Sequence, residues 1–172
     1  MALALLEEVL AGDPSSEKEI SDAYLEALLG QATDMMSKDP DAAKAYLLKA
    51  LELDPNSISV LSQLGYIFVH QSDYPQAIET YQRVAELDPG RADTFFNLGY
   101  IYAVTENYSK AKEMYSRVVE LSPDFLDEAL FNLAMVQAQL GERAKCIKSL
   151  EQAVEINPAN ESALAYLKQL RQ

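Results

Sequence analysis

The sequence predicts an all-α protein built as a stack of antiparallel helix pairs, and three observations carry that prediction. Pro55, Pro89, Pro123 and Pro158 close the runs ELDP, ELDP, ELSP and EINP at spacings of 34, 34 and 35 residues. Self-similarity near this period marks a helix–turn–helix array, in which each unit buries its apolar faces against its neighbours. The intervals share one apolar pattern: LSQLGYIF…YPQAIETYQRVAELDP, FFNLGYIY…YSKAKEMYSRVVELSP and LFNLAMVQ…RAKCIKSLEQAVEINP. Small residues recur in phase with it, Gly65, Gly99 and Ala134 on first helices and Ala77, Ala111 and Cys146 on second helices. A larger side chain at those positions would push two packed backbones apart.

The elements follow in order. Ala2 to Leu10 reads as a short apolar helix stopped by Gly12 and Asp13-Pro14. Ser16 with Glu19 forms a capping box for a helix reaching Met36. Ile20, Ala23, Leu25, Leu28, Leu29, Ala32, Met35 and Met36 make its apolar side at three- and four-residue intervals. Asp39 is the expected N-cap of the next helix, with Pro40 at the tolerated first position and Ala43, Leu47 and Ala50 facing inward. Residues 1–23 are therefore expected to be an N-terminal helical segment. Residues 24–57 are expected to be a degenerate capping repeat, since Gly30-Gln31 stands where the later units have Leu-Gly.

Full repeats are expected at 58–91, 92–126 and 127–160, the third proline-to-proline interval carrying one extra residue in the turn around Asp124 to Asp127. Leu61, Phe95 and Leu130, with Leu64, Leu98, Leu133, Phe68 and Tyr102, fill the space between helices, answered by Tyr81, Tyr115 and Leu150. Residues 161–172 read as a final amphipathic helix that covers an open end of the stack.

Charge and composition narrow the function. The 172 residues carry a net charge of −13, and among the first 34 only Lys18 opposes eight acids. Such a chain repels phosphate backbones and anionic lipid, so neither nucleic acid nor a membrane surface is an expected partner. No stretch approaches the length of a membrane-spanning segment. One cysteine makes no internal disulfide, which fits a reducing compartment and a cytoplasmic placement. Catalytic chemistry has no material here. His70 is the only histidine, there is no phosphate-cradling glycine loop, and carboxylate pairs such as Asp127-Glu128 read as solvated helix surface. Neither a metal nor another cofactor is expected, and Cys146 reads as a packed thiol.

The in-phase motifs over 55–172, and more weakly 40–55, resemble the tetratricopeptide repeat family, whose pattern is W-x2-L-G-x2-Y…A-x3-F…P. The resemblance implies a right-handed superhelical solenoid with at least eight helices and no strand. It also implies a concave groove, lined by first helices, that holds a peptide. Three residues per repeat would point into it. Gln63, Asn97 and Asn132 form an amide ladder, able either to grip a peptide backbone or to hold neighbouring helices together. Ser62, Phe96 and Phe131 run beside it, then Tyr66, Tyr100 and Met135, as exposed apolar anchors, with Asp93 and Glu128 on an acidic rim. Arg83, Lys110, Lys112, Arg117, Lys145 and Lys148 fall on second helices and are expected on the convex side.

Family members that grip heat-shock-protein C-terminal tails use two lysines, two asparagines and an arginine at set positions. Here those positions hold Ser62, Tyr66, Asn97, Glu128 and Asn132, so such a tail is not an expected partner. The expected function is a non-catalytic scaffold or adaptor for a protein or peptide with apolar anchors and neutral or basic character. The alternatives are a secretion or assembly chaperone and a regulatory module of a larger enzyme. Leu3, Leu5, Leu6, Val9 and Leu10 are expected to bury their face as a cap on the first repeat or in a homodimer formed through residues 1–22.

Overall fold

The computed structural model describes residues 17–171, with side chains from Ser21 onward. The expected helix at 2–10 and the Ser16 cap lie outside the described residues. Among those described there are nine helices and no strand: α1 (Glu17–Met35), α2 (Pro40–Leu53), α3 (Ile58–His70), α4 (Tyr74–Leu87), α5 (Ala92–Val104), α6 (Tyr108–Leu121), α7 (Leu126–Gln139), α8 (Arg143–Ile156) and α9 (Glu161–Leu170). The chain divides into two compact units, Met1–Thr80 and Tyr81–Gln172, the division falling within α4.

In the first unit, α1 buries Tyr24, Leu28 and Ala32 at four-residue spacing, one stripe of a helix. Ala23, expected inside, is exposed, because the stripe runs through its neighbour Tyr24. Asp39 caps α2 as expected, its carboxylate accepting from the Ala42 N–H at 3.0 Å. Ala43, Leu47 and Ala50 of α2 are fully buried in one cluster with the α1 stripe and with Val60, Leu64 and Ile67 of α3.

Two kinds of turn repeat. At the end of a second helix, the residue before proline folds its side chain back onto the backbone. Asp54 accepts from the Asn56 N–H, Asp88 from Gly90 and Asn157 from Ala159, at 3.1, 3.1 and 3.0 Å. Ser122 lacks that carboxylate or amide and instead adopts a left-handed conformation, φ 47°. The extra residue of the last interval lengthens α7 to 14 residues, against 13 for α3 and α5. Between first and second helices, Ser72, Glu106 and Gly141 all have positive φ, 58°, 60° and 72°. The next N–H in each case donates back to a carbonyl five residues earlier, Asp73 to Phe68, Asn107 to Tyr102 and Glu142 to Gln137, each at 2.8 Å. This left-handed C-terminal stop satisfies carbonyls that the helix leaves open.

In the second unit, a Cβ added to Gly99 would lie 2.9 Å from the ring of buried Tyr115, so that glycine is required by close approach. Leu130 and Ala134 of α7 share a buried cluster with Cys146, Leu150 and Ala153 of α8 and with Ala163 and Leu167 of α9. The last helix thus covers the preceding pair. Lys112 on α6 pairs with Glu142 at the start of α8 at 2.6 Å, and Lys145 pairs with the same carboxylate at 3.1 Å. Lys112 first, then Lys145, holds the Glu142 carboxyl below the usual carboxylate range.

Candidate peptide-binding faces

The expected site residues lie on α3, α5 and α7. On α3, Tyr66 is 51% exposed, its ring 4.2 Å from that of exposed His70, while Gln63 is half-buried. Tyr66, Ile67 and His70, with Met36, Ser37 and Pro40, wall a cavity of about 250 Å³ in the first unit. The wall is mostly apolar, and the tyrosine and histidine stand at its polar edge.

On α5, Asp93, Asn97, Tyr100 and Val104 recur at three- and four-residue spacing, one face of a helix. Tyr100 is 45% exposed and Val104 42%; Asn97 is half-buried. Phe96 departs from its expected role as an open anchor. It packs edge-on against Tyr115 at 5.6 Å and Phe125 at 5.4 Å between ring centres. Edge-to-face pairing places the positive rim of one ring on the negative face of the next, so Phe96 serves folding first. Burial, and to a lesser degree the neighbouring Tyr100, pushes the Tyr115 hydroxyl far above its ordinary pKa.

On α7, Glu128 is exposed, Asn132 and Met135 are half-buried, and Phe131 packs against the α7–α9 cluster rather than standing open. Glu128, Phe131 and Asn132 border a cavity of about 390 Å³ together with Asp127, Asn157, Asn160 and Ser162. Asp127 corrects the reading of its pair with Glu128 as solvated surface. It is only 8% exposed, and one carboxylate oxygen accepts from the side-chain amides of both Asn157 and Asn160 at 2.8 Å. Burial alone would raise its pKa, but these two amides and the backbone N–H groups of residues 127 and 128 outweigh burial and hold it low. The sequence signal was available in part, since Asn157 occupies the place of the aspartate in ELDP.

Several bases on second helices are committed to rings or acids of the chain. Lys110 lies 5.2 Å over Tyr102, and Arg117 lies 5.9 Å over Phe95 while pairing with Glu120 at 2.8 Å. Cys146 is buried, and burial raises its thiol pKa. Among the described residues no group of three His, Cys, Asp or Glu could hold a metal ion, and no helix is long and apolar enough to cross a membrane.

Four family models match the chain. One described as TPR repeat matches residues 65–104, and three described as tetratricopeptide repeat match 46–79, 92–125 and 127–160. No curated protein matches it. Among solved structures, YrrB, described as a TPR protein with an unusual peptide-binding site, is 24% identical with a TM-score of 0.75, over 97% of this chain and 82% of its own. The MamA protein is 23% identical with a TM-score of 0.78, over 85% of this chain and 80% of its own. The first TPR of Spaghetti (RPAP3), bound to the HSP90 peptide SRMEEVD, is 22% identical with a TM-score of 0.63, over 69% of this chain and 94% of its own. At these identities the likeness establishes a shared all-α repeat fold.

Proposed function

Because the chain belongs to the tetratricopeptide repeat family, we propose that it is a non-catalytic protein-binding scaffold. Its first helices hold a peptide segment or helix of a partner. The observation that carries this reading recurs in each unit by itself: Tyr66, 51% exposed, shares α3 with the half-buried amide Gln63, and Tyr100, 45% exposed, shares a face of α5 with the half-buried amide Asn97, while Asn132 is the half-buried amide of α7. A tyrosine left half in water is apolar area whose covering is worth about 25 cal/mol per Å². It is also a rigid anchor with little rotamer freedom to lose on binding. The amides supply both a donor and an acceptor for a partner backbone.

Phe96, packed on Tyr115 and Phe125, and Phe131, packed on the α7–α9 cluster, anchor α5 and α7, and Met135, Asp93 and Glu128 are the further binding residues of this reading. The exposed carboxylates of Asp93 and Glu128 favour a partner of neutral or basic character over an acidic C-terminal tail. Affinity capture with the wild type and with Tyr66→Ala/Tyr100→Ala tests the reading. The main partner should be lost from the variant while helicity and melting temperature stay near wild type. Retention of the partner by this variant, with loss on Lys148→Glu, would move the binding surface to the second helices.

A further inference from the structure

We propose that a second docking surface lies between α4 and α6, on the side of α5 turned away from Tyr100. The segment it takes carries an apolar side chain flanked by lysine or arginine. Two stripes on α5 separate this surface from the first. Asp93, Asn97, Tyr100 and Val104 form one stripe, and Phe95, Leu98 and Tyr102 form another about half a turn around the helix. The second stripe floors a cavity of about 480 Å³, walled by Ala85 of α4 and Met114 of α6. That volume falls within the range of about 300–1,000 Å³ typical of ligand sites. Leu98 and Tyr102 are buried beneath it, and Gln82 donates to the Tyr102 hydroxyl at 3.4 Å, fixing the ring.

The rim decides the sign of the partner. Its base, Lys110, is drawn over the Tyr102 ring at 5.2 Å, and Arg117 next to Phe95 is paired with Glu120. Glu86 and Glu113 are exposed on the same rim and make no ion pair among the described residues. Arg117 is paired with Glu120, while Lys110 keeps its charge over the ring, so the rim sets two carboxylates against one ammonium and is net negative around an apolar floor. A basic residue beside an apolar anchor complements that arrangement, with the anchor supplying affinity and the charge supplying orientation and sign. An acidic segment would set like charges together and lose. The surface does not rest on the tyrosine face, so either reading can fail alone.

Methyl NMR of the protein with two amphipathic model peptides, one of leucine and lysine and one of leucine and glutamate, tests the proposal. The leucine–lysine peptide should shift the methyls of Ala85, Leu98 and Met114, whether or not it also reaches Val104 and Met135 on the first-helix face. The leucine–glutamate peptide should bind at least about tenfold more weakly. Glu86→Lys/Glu113→Lys, both on exposed side chains, should weaken the peptide's effect on those three methyls about fivefold or more, while Tyr66→Ala/Tyr100→Ala leaves that effect in place. No shift at Ala85, Leu98 and Met114, equal binding of both peptides there, indifference of those methyls to the double charge reversal, or no binding near about millimolar peptide would each overturn it.

Discussion

In the pair α5–α6, Gly99 lies against the ring of Tyr115; in the pair α7–α8, Ala134 stands where the glycine was and Leu150 where the tyrosine was. Both arrangements fill one buried contact, the first with a bare backbone and a large ring, the second with a methyl and a smaller branched side chain. The repeat therefore conserves the combined volume at this contact rather than either residue, as expected of an interior packed to crystal-like density. The same two pairs differ at their turns. Glu106 and Gly141 hold the same left-handed conformation, φ 60° and 72°, and only the glycine does so without steric cost. They differ again at the helix start, where Asp127 ties α7 to the turn between α8 and α9 through Asn157 and Asn160, while the residue in phase with it, Ala92, makes no such bond.

The largest expected effect comes from breaking the tighter contact. Gly99→Leu should destabilise by about 3 kcal/mol or more, because a Cβ already 2.9 Å from a buried ring cannot be accommodated by a small shift. Denaturant unfolding measures this, and a variant with wild-type stability would remove the close approach from the account.

Asp127→Ala should cost about 2 kcal/mol, since it strands two amides that now bond to one buried carboxylate. Ala92→Ser, at the equivalent place, should change little. The acid limb gives an independent readout. The folded-state pKa of Asp127 is depressed, so its contribution is present above the unfolded carboxylate value of about 3.9 and is lost as pH falls through the lower folded value. Asp127→Asn should therefore lose stability near neutral pH and show a shallower decline on acidification than wild type.

A smaller effect sharpens the volume argument. Gly99→Ala and Tyr115→Leu together recreate the residues of α7–α8, and the double variant should be less destabilised than the sum of the singles by about 1 kcal/mol. Strict additivity would mean that the two pairs pack for unrelated reasons. The smallest effect has the opposite sign. Glu106→Gly should stabilise by about 0.5–1 kcal/mol by relieving the left-handed strain of a side-chain-bearing residue.

Much of the fold was legible because its devices sit in phase. The prolines, the small residues and the capping Asp39 are local, and each means the same thing wherever it recurs. What escaped depended on contacts outside the period. Phe96 reads as an open anchor until Phe125 is placed against it, and Phe125 belongs to the turn preceding the lengthened helix. Asp127 reads as solvated until Asn157 and Asn160, 30 and 33 residues on, fold back to it. Ala23 and Tyr24 illustrate a narrower ambiguity, since stripes one residue apart satisfy nearly the same three- and four-residue spacing. Of the expected anchors, the two tyrosines on α3 and α5 kept the exposure the sequence reading needed.

The binding face itself is most directly tested by photo-crosslinking. A photoreactive phenylalanine analogue placed at Tyr66, at Tyr100 or at Lys148 replaces exposed side chains on α3, α5 and α8. Irradiation in the native lysate should join the same partner to the protein from positions 66 and 100 and not from 148. Crosslinks formed only from position 148, or different proteins from 66 and 100, would contradict binding of one partner through the first helices.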